Sequence, residues 1–228
     1  WKRSRVGLWG TERGCYTKDK DAEEKVCQTV SSAAGKRMKK GNSDMNKNNF
    51  AKNPPMGWNS WDCYGAAVTE KELMQNIDYM AQHLKEHGWE YIVCDIQWYE
   101  PTADSSHYHK FADLCMDEYG RVIPASNRFP SAADGKGFKP IADYVHSKGL
   151  KFGIHIMRGI PRQAVAANTK VKGTNYTARD VAHPFSICCW NTDMYGLDAI
   201  KPGAQEYYGL IIELYAFWGV DFFLLVDI

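Results

Sequence analysis

The residues best suited to chemistry in this 228-residue chain set aromatic rings beside acids. Trp58, Trp61 and Asp62 fall in one short stretch, and Asp95, Gln97, Trp98 and Tyr99 in a second; His155 and Arg158 form a third group and Asp227 a fourth. Such a set suits a sugar. The apolar face of a pyranose stacks on an indole ring, while carboxylates accept hydrogen bonds from its hydroxyls and can act as nucleophile or acid. Each residue also has a structural reading: Trp58 and Trp61 as core packing, and Asp95, which closes an apolar stretch, as a helix cap or salt-bridge partner.

These groups fall at the carboxyl ends of predicted strands. MGWNSW (56–61) reads as the first strand. A capping box of Thr69 and Glu72 then opens a helix of about five turns, with Leu73, Ile77, Met80, Ala81 and Leu84 at helical spacing and Gly88 as the stop. EYIVCDI (90–96) is a continuous apolar run ended by an acid, as expected of a strand buried on both faces of a parallel sheet. A helix over 138–149, a strand over 150–156, a helix over 204–219 and a strand over 220–228 complete the order βαβαβαβ, an α/β architecture with a parallel sheet. Each helix is expected to return to its next strand within a few residues, whereas the connections after the second and third strands run to roughly forty, against a usual two to six. Long connections on one face mark the carboxyl ends of a parallel barrel, where active sites are built. An open doubly wound sheet shows similar asymmetry at its switch point, but no G-x-G-x-x-G or Walker motif follows any strand.

The net charge of +1 conceals a division. Residues 1–53 carry 13 Lys and Arg against 6 Asp and Glu, leaving 15 against 21 for residues 54–228. The first segment lacks apolar periodicity and is predicted to be a disordered basic extension. It contains nothing like the apolar core of a signal peptide, and no aromatic interleaving that would suggest a nucleic-acid partner. No run approaches eighteen apolar residues, so no membrane-spanning helix is expected. The seven cysteines, at 15, 27, 63, 94, 115, 188 and 189, include no C-x-x-C pair and do not read as a disulfide framework. Cys188 and Cys189 are expected to be one loop thiol and one buried thiol. His107 and His109 lack a third ligand, and no metal is predicted.

In order, MGWNSWDCYG, YIVCDIQW, DEYGRVIPASNRFPS, IADYVHSKGLKFGIH and FWGVDF resemble the successive blocks of the family-27 glycoside hydrolases, the α-galactosidase or melibiase family. The resemblance spans residues 54–228 and implies an eight-stranded (β/α) barrel followed by a small antiparallel β domain. It further implies retaining hydrolysis of terminal α-D-galactosides, with no metal or organic cofactor. Trp61 would line the galactose site, and Asp95 would hold sugar hydroxyls, with Trp98, His155 and Arg158 as further substrate-binding candidates. Ile96 stands where many members have a second acid, and His155 where they often have tyrosine. Galactose, N-acetylgalactosamine and arabinopyranose all remain open as the sugar, and so do the oligomeric state and the localisation, since members are often secreted, periplasmic or lysosomal.

The largest departure is at the fourth strand. Members usually read W-G-V-D-[FY]-x-K-x-D, the Lys contacting substrate and the last Asp being the nucleophile. Aligned without gaps from Trp218, this chain has Leu224 and Val226 at those places and Asp227 one position late. Strand side chains alternate faces, so Asp227 serves as nucleophile only if a bulge or insertion resets the parity. A real substitution and a sequence error fit equally well. Residues 54–228 number 175, whereas a (β/α)₈ barrel needs about 250. The chain is therefore expected to be a disordered basic extension (1–53) followed by the N-terminal half of a TIM barrel, about four βα units (54–228), with the general acid outside it. Such a piece would be an incomplete, inactive α-galactosidase. The alternatives are a non-catalytic carbohydrate-binding remnant and an unstable fragment with an exposed sheet edge.

Overall fold

The computed structural model describes residues 54–104 and 107–226. The basic extension (1–53) and Asp227 lie outside the described residues. Four strands, β1 (Gly57–Asn59), β2 (Tyr91–Cys94), β3 (Lys151–Met157) and β7 (Phe222–Val226), form one wholly parallel sheet in the order β1-β2-β3-β7. Three helices cross between them: α2 (Glu70–His83), α3 (Lys139–Ser147) and α6 (Ala204–Phe217). This is the predicted βαβαβαβ order, and it forms part of a (β/α)₈ barrel.

The local chemistry explains the elements. Thr69 and Glu72 form the expected capping box, with the Thr69 N–H donating to Glu72 Oε2 at 2.8 Å, and Leu73, Ile77 and Met80 are buried. That helix ends at His83 rather than running on to Gly88, because a 3₁₀ turn over Lys85–His87 intervenes. β1 is shorter than predicted. The side-chain oxygen of Asn59 accepts from the Trp61 N–H at 2.8 Å, and the chain turns at once into α1 (Trp61–Tyr64). Glycine is needed at position 57, where a Cβ would collide with the Tyr91 carbonyl of the neighbouring strand.

The two sheet faces are easily told apart. Phe152 on β3 packs edge-on against Phe138, with centroids 5.4 Å apart, and Phe223 on β7 stacks on Tyr215 of α6 at 6.1 Å, so this parity faces the helices. The opposite parity carries Tyr91, against which Phe222 packs at 5.4 Å, then Val93 and Gly153, and further along Asp95, His155 and Leu224. That second face is the barrel interior.

One feature was not predicted. The connection between β3 and α6 contains a second sheet, with β4 (Ile160–Pro161), β5 (Ala182–Ile187) and β6 (Met194–Leu197) in the antiparallel order β4-β6-β5, and two short helices, α4 (Arg162–Ala167) and α5 (Ala178–Val181). Its strands are two to six residues long. β5 contains Pro184 and is exposed at three consecutive positions, so no period-two signal develops. Gly159 at the junction has φ +96°, and a Cβ there would strike the Tyr195 carbonyl. Among the described residues, no helix is long and apolar enough to cross a membrane.

Candidate active site at the strand ends

Parallel register builds the centre of the site. Cys94 of β2 lies beside Ile154 of β3, which brings Asp95 next to His155 one residue further on. The His155 Nδ1 is 2.7 Å from Asp95 Oδ1. An ionised carboxylate only accepts, so Nδ1 carries the proton and Nε2 is left as an acceptor in the neutral ring. Asp95 is 5% exposed and His155 6%, and burial of this degree requires partners. Asp95 has them: its Oδ1 also accepts from the Ile96 N–H at 2.8 Å, and its own N–H donates to Ser60 Oγ at 2.9 Å. The Ser60 N–H in turn bonds the Val93 carbonyl at 3.0 Å. β1, β2 and β3 thus fix one carboxylate at their carboxyl ends.

A second buried acid, which no sequence signal singled out, is Asp193. It is 3% exposed and comes from the segment between β5 and β6. Its Oδ2 accepts from Gln97 Nε2 at 3.1 Å and from the Tyr99 hydroxyl at 3.3 Å, and its N–H donates to Asn191 Oδ1 at 2.7 Å. Loss of solvent pushes its carboxyl above the ordinary carboxylate range, against the opposing pull of the Gln97, Asn191 and Tyr99 side chains. Gln97 is held at φ 62°; a non-glycine residue there costs about 1 kcal/mol or more and is usually retained at functional positions. Arg128 anchors this turn, its Nη1 donating to the Gln97 and Glu100 carbonyls at 2.7 and 2.9 Å.

Above these acids lies a row of rings. Trp61 stacks on Tyr108, with centroids 5.6 Å and planes 16° apart, and Tyr108 tilts against Trp190 at 5.0 Å. Trp61 and Trp190 remain 37% and 43% exposed. Burial, followed by the carboxylates of Asp95 and Asp193, pushes the Tyr108 hydroxyl well above its ordinary range, so the phenol stays neutral beside both acids. Tyr108 and Trp190 also escaped the sequence reading, since each stands alone in a long connection.

Two predicted substrate contacts are placed elsewhere. Trp98 is fully buried in the layer between sheet and helices, edge-on to Phe138 at 5.1 Å, Tyr215 at 5.8 Å and Trp218 at 6.4 Å, with its indole N–H donating to the His155 carbonyl at 2.9 Å. It is a core residue that braces the strand carrying His155. Arg158 donates to Ser186 Oγ at 3.1 Å and so belongs to the second sheet. Trp58 is half-buried and edge-on to Tyr64 at 6.2 Å. Cys188 is buried and Cys189 exposed, as expected. His109 lies 3.3 Å from Glu100 Oε2. Among the described residues, no group of three or more His, Cys, Asp or Glu side chains is placed to hold a metal ion.

β7 answers the question of parity. Its register against β3 is unbroken from Gly153–Phe222 to Met157–Val226, with Leu224 opposite His155. No bulge intervenes through the paired segment, whose interior parity is that of 222 and 224. Asp227, the candidate nucleophile, lies outside the described residues.

Acids buried at the carboxyl ends of a parallel barrel sheet, beneath stacked exposed rings, define a glycoside-hydrolase type of (β/α) barrel. The profile of the alpha galactosidase A family, Melibiase_2, matches residues 53–201. The chain belongs to this family, the family-27 glycoside hydrolases. It is similar to a β-L-arabinopyranosidase from Geobacillus stearothermophilus solved in complex with arabinose, with 64% identity and a TM-score of 0.79 over 82% of this chain and 43% of that one. An alpha-galactosidase from Cyamopsis tetragonoloba is 36% identical over 110 residues, which are 48% of this chain and 22% of that protein. An alpha-N-acetylgalactosaminidase from Gallus gallus is 28% identical over 171 residues, 70% of this chain and 36% of that protein. The chain thus spans less than half the length of each.

Proposed function

We propose that residues 54–228 are the N-terminal half of the catalytic barrel of a retaining glycosidase that acts on terminal α-D-galactosides. The observation that carries this reading is the Asp95–His155 pair, buried at adjoining strand ends with His155 Nε2 unpartnered among the described residues and Trp61 exposed nearby. Asp95 grips sugar hydroxyls, the Trp61 indole takes the apolar face of the ring, and His155 Nε2 accepts a further hydroxyl. In the complete reaction a carboxylate at the fourth strand attacks the anomeric carbon and an acid protonates the leaving oxygen. Water then releases the sugar with retention, a course that sets the two carboxyls about 5 Å apart.

Two observations favour a second reading, a β-L-arabinopyranosidase. The arabinopyranosidase similarity, at 64% identity, is far stronger than the 36% to the plant alpha-galactosidase. β-L-Arabinopyranose is α-D-galactopyranose without its hydroxymethyl group, and Ile96, 2% exposed, stands where the family often has a second acid. A site with one hydroxyl-gripping acid fewer suits a sugar with one hydroxyl fewer.

At position 226 the chain has valine, which offers no nucleophile. The chain as it stands is therefore expected to bind the sugar without turning it over. Nitrophenyl α-D-galactopyranoside and nitrophenyl β-L-arabinopyranoside are the test substrates, and neither should release nitrophenol. Release that disappears in Asp227→Asn would overturn the assignment of position 226. Failure of both D-galactose and L-arabinose to bind would overturn the substrate class.

A further inference from the structure

Among the buried polar atoms without a hydrogen-bond partner among the described residues are Gln97 Oε1, His155 Nε2, Asn191 Nδ2 and Asp193 Oδ1. Native proteins rarely leave such atoms unpaired without a water or ligand to meet them. Gln97, Asp193 and Asn191 are directly joined, through Gln97 Nε2 to Asp193 Oδ2 and the Asp193 N–H to Asn191 Oδ1. The last bond fixes the Asn191 amide with its Nδ2 as the free donor. His155 is paired to Asp95, two residues before Gln97. The free set therefore mixes acceptors, at Gln97 Oε1 and Asp193 Oδ1, with a donor at Asn191 Nδ2 and the second ring nitrogen of His155. A cation has no use for the donor and a simple anion none for the acceptors, whereas a polyol, whose every hydroxyl both donates and accepts, meets all four.

We propose that Asp193 is a specificity-determining residue of the sugar site, its free Oδ1 accepting a hydrogen bond from a substrate hydroxyl. The inference rests on the pyranoside reading above. This carboxylate comes from the segment between β5 and β6, not from the end of β2, where Ile96 leaves the family's second acid unreplaced. Tyr108 now stands beside both acids, its ring nearly parallel to Trp61 at 5.6 Å, where the face of a pyranose would stack. A charged acceptor hidden from water favours a well-placed hydroxyl strongly, and Asp193→Asn keeps the shape of the side chain while removing the charge.

The test is calorimetric titration of the 228-residue chain with D-galactose, L-arabinose and their monodeoxy derivatives, in the wild type and in Asp193→Asn, Asp95→Asn and the control Asp198→Asn. Asp193→Asn should weaken the preferred sugar about tenfold or more, while Asp198→Asn leaves it unchanged. One monodeoxy sugar should bind the wild type about tenfold more weakly than its parent yet bind Asp193→Asn no more weakly than the parent does, a coupling that a structural role would not produce. Wild-type affinity in Asp193→Asn, with binding lost in Asp95→Asn, overturns the role of Asp193 and leaves the pyranoside site standing. Equal weakening of every sugar by Asp193→Asn, with no such coupling, also overturns it. Absence of binding by the wild type overturns the pyranoside reading and this inference together.

Discussion

Trp98 separates the two jobs an aromatic residue at a strand end can have, and Trp98→Phe measures which it does. Trp98 is fully buried, and its indole N–H is spent on the His155 carbonyl at 2.9 Å. Phenylalanine keeps the ring contact with Phe138 but removes that donor, leaving a buried carbonyl short of a partner at a cost of about 1 kcal/mol. It also leaves about 40 Å³ of unfilled ring volume, which at about 24 cal/mol per Å³ costs about 1 kcal/mol more. The sum, about 2 kcal/mol, should lower the melting temperature by about 4–8 °C for a domain of this size. Trp61→Ala removes a ring that is 37% exposed, and should change the melting temperature little. Differential scanning fluorimetry and sugar titration of the two variants give opposite patterns: Trp98→Phe is less stable with sugar affinity kept, Trp61→Ala is stable with affinity lost. A Trp98→Phe protein that melts with the wild type but no longer binds sugar would refute the core assignment and restore Trp98 to the site.

Two further outcomes follow from the same contacts. Thr69→Ala removes the hydroxyl of the capping box at α2 and should cost about 1 kcal/mol, read by urea denaturation, with sugar binding unaffected. Asp193 gives a pH signature. Loss of solvent raises its carboxyl in the folded chain above the unfolded value of 3.8, so the native state holds the proton more tightly. Its ionisation therefore disfavours folding progressively as pH rises from 3.8 through the raised folded value, and has no such effect below that window. Melting curves of wild type and Asp193→Asn should diverge in favour of the variant as pH climbs through that window; parallel curves would show that desolvation of Asp193 is not felt.

What was legible in the sequence followed from strong local signals. The capping box of Thr69 and Glu72, the apolar run ending in Asp95 and the apolar run after Gly219 each rest on residues within one element, and all three stand in the structure. The second sheet was not legible because a two-residue strand and a proline-bearing edge strand produce no periodicity. Asp193 was hidden for the same reason. Its role depends on contacts with Gln97 and Tyr99, 96 and 94 residues away, and not on its neighbours. Trp98 was misread because position alone cannot tell the parity of a residue past the last strand bond: at four residues, β2 ends at Cys94, and the turn through Gln97 at φ 62° sends Trp98 back toward the helices.

The same contacts explain why binding and chemistry can part company in this chain. The hydrogen bonds that hold Asp95 come from the ends of β1, β2 and β3: the Ser60 hydroxyl, the Ile96 N–H and the His155 ring. Asp193 is held by the loop after β2 and by its own segment. None of these bonds involves β7, whose Leu224 lies opposite His155. On the proposed reading, absence of an acid at position 226 therefore removes the nucleophile and leaves the residues of the sugar grip in place. The register runs unbroken to Val226, so a carboxylate one residue later would reach the barrel interior only through a bulge beyond the paired segment.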